Sequence, residues 1–214
     1  MDGTMVDNMN VHNRAWQLQL ASIGIDMSIE EVKATCHGKN EEIFERLFGD
    51  RFTPEQRRQY SREKEERYRE VFLHELKLIE GLSAFLEVAH AAGIPMGIGT
   101  AAPPENVNFV LDNLPIRSYF KKVVDAGQVQ RGKPDPAVFQ MVAEGIGVPI
   151  HQCLVFEDSP TGAETALRAG CPAIILTTTH DQEEFAHFTH IKAFVSDFTG
   201  LNPLELLRFL PANA

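Results

Sequence analysis

The apolar positions of this chain follow two different rhythms. From Met9 to about Leu78 they recur at helical spacing. Val11, Ala15, Leu18 and Ala21 share one face before Gly24 ends the first segment. Ser28, with Glu31 three residues on, is a capping-box pattern that opens a short helix to Thr35. Asn40 is placed to cap a third helix, with Ile43, Phe44, Leu47 and Phe48 on one side and Gly49 as the stop. Thr53-Pro54 pairs an N-cap with proline at the first helical position and predicts a helix to about His74. That helix is dense in alternating charge, with Glu63 and Arg67 four residues apart, and is expected to present a solvated face laced with ion pairs.

Beyond Leu78 short apolar runs alternate with helical stretches. The runs are Pro95–Gly99, Val123–Val124, Cys153–Phe156, Ala173–Leu176 and Phe194–Val195. Between and around them, helices are predicted from Gly81 to Ala92, Pro104 to Leu114, Asp135 to Ile146, Pro160 to Ala169 and around Leu204–Phe209. This alternation is the signature of βαβ units and a parallel sheet. The pattern therefore predicts an α/β core, residues 1–8 and 79–214, carrying an all-helical insertion over residues 9–78.

Composition narrows the class. At 214 residues and 43% apolar side chains, the chain is long enough for one core domain with a modest insertion. No apolar run approaches the roughly 18–20 residues of a membrane span, and the acidic start (Asp2, Asp7) is unlike an export signal. A net charge of −10 argues against a nucleic-acid partner, which needs a basic footprint. Cys36, Cys153 and Cys171 form neither a disulfide framework nor a metal knuckle, which suits a reducing, cytoplasmic setting. Cys153, inside an apolar run, reads as a small buried hydrophobe. A monomer or weak dimer is expected.

Ligands of open parallel sheets bind at the carboxyl ends of the strands, so the residues just past each apolar run are the candidates for chemistry. Thr100 comes after the first. Asp125 and then Gly132-Lys133-Pro134-Asp135-Pro136 come after the second, and Glu157-Asp158-Ser159 with Gly162 after the third. Asp2-Gly3-Thr4 stands at the start. Carboxylates such as Glu157 and Asp158 suit Mg²⁺, which takes one or two of them plus waters and a substrate phosphate. Lys133 and the Thr100 hydroxyl suit neutralisation and orientation of phosphate oxygens, the main requirement of phosphoryl transfer.

Taken in order, Asp2-Gly3-Thr4, Thr100, Gly132-Lys133-Pro134-Asp135-Pro136 and Glu157-Asp158-Ser159 with Gly162 resemble the four motifs of the haloacid dehalogenase-like (HAD) phosphohydrolases. The helical-cap subfamily that includes β-phosphoglucomutase is the nearest in pattern, and His12 and Trp16 match its first cap helix. The resemblance implies a Rossmann-like parallel core with a helical cap inserted after the first motif, Mg²⁺ as cofactor and a small phosphorylated substrate. By position it implies that Lys133, Thr100 and the adjoining Ala101 bind the phosphoryl group, and that Asp158 and Glu157 ligate the metal. Asp2 would act as general acid and base and touch the metal through its main-chain carbonyl. His12 and Lys39 are the substrate-binding candidates of the cap.

Two departures from the family pattern bear on activity. The family's first motif reads Asp-x-Asp, and its first Asp is the nucleophile. Here Met1 fills the middle position, so the nucleophile and its strand lie outside the sequence. The expectation is a start at an internal Met. A truncated non-catalytic relative and a strand supplied by another chain are the alternatives. Second, Glu41 aligns with the Arg that receives a second phosphate in β-phosphoglucomutase. This favours a phosphatase over a phosphosugar isomerase, with an inactive phosphate-binding or regulatory protein as the alternative from another class.

Overall fold

The computed structural model describes residues 1–36 and 40–211. Lys39 lies outside the described residues. The chain forms two compact units, Asn8–Leu76 on the one hand and Met1–Asp7 with Lys77–Ala214 on the other.

The helical unit holds α1 (Met9–Ser22), α2 (Ile29–Thr35), α3 (Asn40–Phe48) and α4 (Pro54–Phe72). Ser28 and Glu31 close a reciprocal capping box at α2, and Thr53 with Gln56 closes another at α4, where Pro54 sits in the first turn. Asn40 lies within α3 and sends its side-chain amide to Glu65 Oε1 at 2.6 Å. The apolar faces meet around Phe44, which is fully buried. Trp16 tilts against it with ring centroids 5.3 Å apart, and Phe52 meets it edge-on at 6.0 Å.

The charged helix α4 departs from its expected solvated face at one position. Lys64 is only 2% exposed, and Tyr68 and Phe72 one and two turns on are buried with it. Glu63 and Arg67, expected to pair with each other, both reach Gln19 of α1. Gln19 Nε2 donates to Glu63 Oε2 at 2.9 Å, and Arg67 Nε donates to Gln19 Oε1 at 2.7 Å. The reason is tertiary: Gln19 is wholly buried in the α1–α4 seam and both of its polar ends need partners.

The second unit opens with a tight loop. The Met1 carbonyl accepts from Met5 N at 2.7 Å, Asp2 bridges Val6, and Gly3 takes φ +63°. The remaining elements are α5 (Leu82–Ala91), β1 (Met96–Gly99), α6 (Pro104–Asn113), β2 (Phe120–Val124), α7 (Ala137–Ile146), β3 (Val155–Glu157), α8 (Pro160–Ala169), β4 (Ala173–Leu176), β5 (Ile191–Val195) and α9 (Pro203–Leu206). Cys153 precedes β3 rather than lying within it and is half-buried, packed as a small hydrophobe against the core around Val124, Phe139 and Ile175 rather than inside it.

All strand pairs are parallel, but they form two sheets. In the first, β1 pairs β2, with Gly99 opposite Val124. In the second, β3 pairs β4 and β4 pairs β5, with Val155 opposite Ala173 and Ile175 opposite Phe194. Between β1 and β3 lies an apolar slot of about 460 Å³, lined among others by Met1, Met5, Leu86, Ile98, Phe156 and Phe198. Among the described residues no strand pairs the free edges of β1 and β3. An edge whose N–H and C=O groups lack a ladder partner is a template for another strand.

Candidate active site

The parallel strands bring their carboxyl ends, and the loops attached to them, to one edge of the second unit. Glu157 ends β3, Asp158 enters the turn, and Ser159 caps α8 by accepting from Gly162 N at 3.1 Å. Glu157 and Asp158 are 5% and 8% exposed, unusual for two adjacent carboxylates. Two glycines make room for them. A Cβ on Gly162 would fall 2.0 Å from Glu157 Oε2, and one on Gly3 would fall 2.1 Å from Asp158 Oδ2.

Lys133, in the loop before α7 and joined to Pro134 by a cis peptide, reaches Glu157 Oε1 in a close ion pair. Its ammonium also stands 4.7 Å from the centroid of the Phe139 ring. Burial opposes ionisation of Glu157, but the Lys133 ammonium, with the hydrogen bond from Asp158 N, holds the carboxyl below its ordinary range. Asp158 goes the other way. Burial and the Glu157 charge push it up, against smaller opposing effects of the α-amino group and the hydroxyls of Thr179 and Thr4. Thr4 Oγ1 donates to Asp158 Oδ1 at 3.1 Å.

Two mutually repelling, buried carboxylates with hard oxygen donors fit a divalent cation that completes its shell with water and substrate oxygens. Among the described residues no three His, Cys, Asp or Glu side chains converge.

Thr100 follows β1 and is buried. Its main chain joins β2 through Val124 O at 3.0 Å, and its hydroxyl oxygen accepts from Ala102 N at 3.1 Å. With that acceptor role filled, the O–H proton is aimed elsewhere. Ala101 beside it is exposed. Asp125, after β2, is used locally, accepting from Gly127 N at 2.8 Å and from Gln128 Nε2 at 2.9 Å.

The helical unit holds a second polar cluster. His12 stacks on Tyr68 with centroids 3.9 Å apart, and its Nδ1 is 2.9 Å from Lys64 Nζ. Lys64 also pairs with Glu65 Oε1 at 2.9 Å and lies 5.5 Å from the Trp16 ring centroid. The ammonium can only donate, so Nδ1 accepts in this contact.

The structure thus gathers Glu157, Asp158 and Lys133, joins Thr4 of the first motif to Asp158, and adds Thr178 and Thr179, which the sequence reasoning did not select. Thr178 Oγ1 donates to the Gly3 carbonyl in a short hydrogen bond. The rule that found Thr100 and Glu157, inspection of the residues at and just past each apolar run, would also have found Thr177-Thr178-Thr179 after β4. Lys64 carried no such signal, because one buried cation in a charged helix has no pattern of its own.

The haloacid dehalogenase-like hydrolase family model matches residues 1–170. The chain belongs to the haloacid dehalogenase-like hydrolases. Among curated relatives, this hydrolase is 30% identical to fructose-1-phosphate phosphatase YqaB of Escherichia coli over 174 residues, 81% of this chain and 92% of that protein. It is also 30% identical to hexitol phosphatase A of the same organism, over 85% of this chain and 82% of the relative. Among solved structures, a HAD hydrolase from Entamoeba histolytica superposes with a TM-score of 0.88 at 23% identity, covering 98% and 96% of the two chains. β-Phosphoglucomutase from Clostridium difficile superposes at 0.80 and 23%, covering 97% and 93%. At these identities the structures establish the fold alone, an α/β fold with parallel sheets, as the sequence pattern predicts.

Proposed function

We propose that this hydrolase is an Mg²⁺-dependent phosphatase acting on small phosphorylated metabolites, sugar phosphates among them. The observation that carries the proposal is the buried Glu157–Asp158 pair with Lys133 closed on Glu157 at the carboxyl edge of the sheets. The two Escherichia coli phosphatases support the substrate class.

Asp158 and Glu157 would hold Mg²⁺, with the Asp2 carbonyl as a further oxygen. Bound there, Mg²⁺ supplies positive charge against the phosphoryl oxygens. Lys133 donates to those oxygens from one side, and the Thr100 hydroxyl, its own oxygen already accepting from Ala102, donates from another. Ala101 is the neighbouring contact. The Asp2 carboxyl protonates the leaving oxygen as the P–O bond breaks. It then takes a proton from the water that releases phosphate. His12, held through Nδ1 by Lys64, and Lys39 are the substrate-binding candidates of the helical unit. The apolar slot between the unpaired edges of β1 and β3 is where a further extended strand bearing the attacking carboxylate would pair.

The test is phosphate release from fructose 1-phosphate, hexitol phosphates and an aryl phosphate with Mg²⁺. The protein used is the chain extended before Met1 by an apolar strand ending in Asp. Hydrolysis that disappears with Asp158→Ala bears the proposal out. An inert extended chain refutes it, and interconversion of hexose phosphates only with a bisphosphate primer replaces it with an isomerase.

A further inference from the structure

The carboxyl end of β4 supplies no charged group to the site, yet three threonines in a row stand there. Thr177 is bound into the sheet. Its N donates to Val195 O at 2.9 Å and its hydroxyl turns to the same carbonyl at 3.4 Å. The next two turn toward the site. Thr178 Oγ1 donates to the Gly3 carbonyl, 175 residues away in sequence. Thr179 Oγ1 is buried against the Asp158 carboxylate and has no hydrogen bond of standard geometry among the described residues. Asp158 Oδ2 and Thr179 Oγ1 crowd the same point, 2.1 and 2.7 Å from where a Gly3 Cβ would lie.

We propose that Thr178 and Thr179 are positioning residues of the candidate active site: Thr178 pins the Asp2–Thr4 loop to β4, and Thr179 sets the orientation of the Asp158 carboxylate. The inference rests on the proposed phosphatase assignment and adds residues that assignment does not use. The loop from Met1 to Val6 is held from within by the Met1 carbonyl and by the Asp2–Val6 bridge, and Met5 O accepts from Ile79 N at 2.9 Å. These contacts run through Met1, Asp2, Met5 and Val6, whereas the Gly3 carbonyl between them is held by Thr178, which ties the Asp2–Thr4 turn to the end of β4. A buried hydroxyl cannot stay unpaired without cost. Thr179 meets that requirement by rotating its proton onto Asp158, whose other oxygen is already held by Thr4. Thr4 and Thr179 then grip one carboxylate from two sides, which leaves its free lone pairs a single direction in which to receive a cation.

The experiment compares Thr178→Val, Thr179→Val and the control Thr177→Val in the full chain, with Thr179→Ser as rescue. Divalent-ion affinity is read by Mn²⁺ electron paramagnetic resonance and by Mg²⁺ calorimetry, and amide exchange of residues 2–6 is followed without metal. Each hydrogen bond lost should weaken ion binding by roughly three- to tenfold. Thr179→Ser should return affinity to within about twofold and Thr177→Val should stay at the parent value, since one keeps the hydroxyl and the other never faced the site. Thr178→Val should speed exchange at residues 2–6 by a similar factor. Ion binding by both valine variants equal to that of the parent overturns the inference while leaving the phosphatase assignment standing. A parent chain that binds neither ion overturns the metal site itself. In that event unchanged exchange at residues 2–6 in Thr178→Val removes the loop tether as well.

Discussion

Gly162→Ala puts local propensity and the site in direct opposition. Gly162 lies in the first turn of α8, where replacing Gly by Ala in an ordinary helix stabilises by about 1 kcal/mol. Here the new methyl would stand 2.0 Å from Glu157 Oε2 and 2.1 Å from its Cδ, far inside contact distance. Glu157 is 5% exposed and its other oxygen is closed on Lys133, so the carboxylate has nowhere to go without breaking that pair. Overpacking costs about 1–3 kcal/mol, and disrupting a buried ion pair costs about 3–5 kcal/mol when one charge is left uncompensated. Partial retention of the pair gives an expected net loss of about 2 kcal/mol, a fall in Tm of roughly 4–8 °C for a chain of this size. Gly132→Ala is the internal control. A Cβ there meets nothing within 4 Å, and stability should change by less than about 0.5 kcal/mol. Thermal and urea unfolding measure both variants. A Gly162→Ala protein as stable as the parent, or more so, would refute the idea that the Glu157 carboxylate is held in place.

Lys133→Met should leave Glu157 buried without its countercharge and cost about 3–5 kcal/mol at pH 7. In the parent, Glu157 titrates below its ordinary value, so its contribution is present at neutral pH and fades only as pH falls through that lowered pKa. In the variant, burial raises the pKa instead, and protonation relieves the penalty. The stability gap should therefore narrow toward about pH 4, and a gap constant from pH 7 to 4 in urea unfolding would contradict this. Phe44→Ala removes the ring on which Trp16, Phe52 and Tyr60 converge, and should destabilise by about 3–5 kcal/mol in denaturant unfolding. Cys171, whose thiol burial pushes up to about 12, should resist alkylation at pH 8 until the protein unfolds, whereas half-buried Cys36 and Cys153 should react before it, as mass spectrometry would show.

Much of the molecule was legible from the chain alone, for local reasons. Ser28 with Glu31 and Thr53 with Pro54 mark helix starts because they satisfy the orphan N–H groups of a first turn from a few residues away. Ala173–Leu176 announces a strand because a segment buried on both faces is apolar throughout, and all four of its residues are buried. Glu157, Asp158 and Lys133, which the structure brings together, were legible by position, since the parallel topology sends every strand end to one edge. Tertiary structure decided the rest. It buried Lys64 in a helix whose charge pattern reads as solvated, because Tyr68, Trp16, His12 and Glu65 surround that one position. It closed Lys133 on Glu157 and brought Thr4 onto Asp158 across 154 residues, separations over which sequence spacing carries no information. It also left a strand-wide slot between β1 and β3, because sheet edges pair through backbone groups that every residue shares, and no side-chain pattern reports whether such an edge is filled.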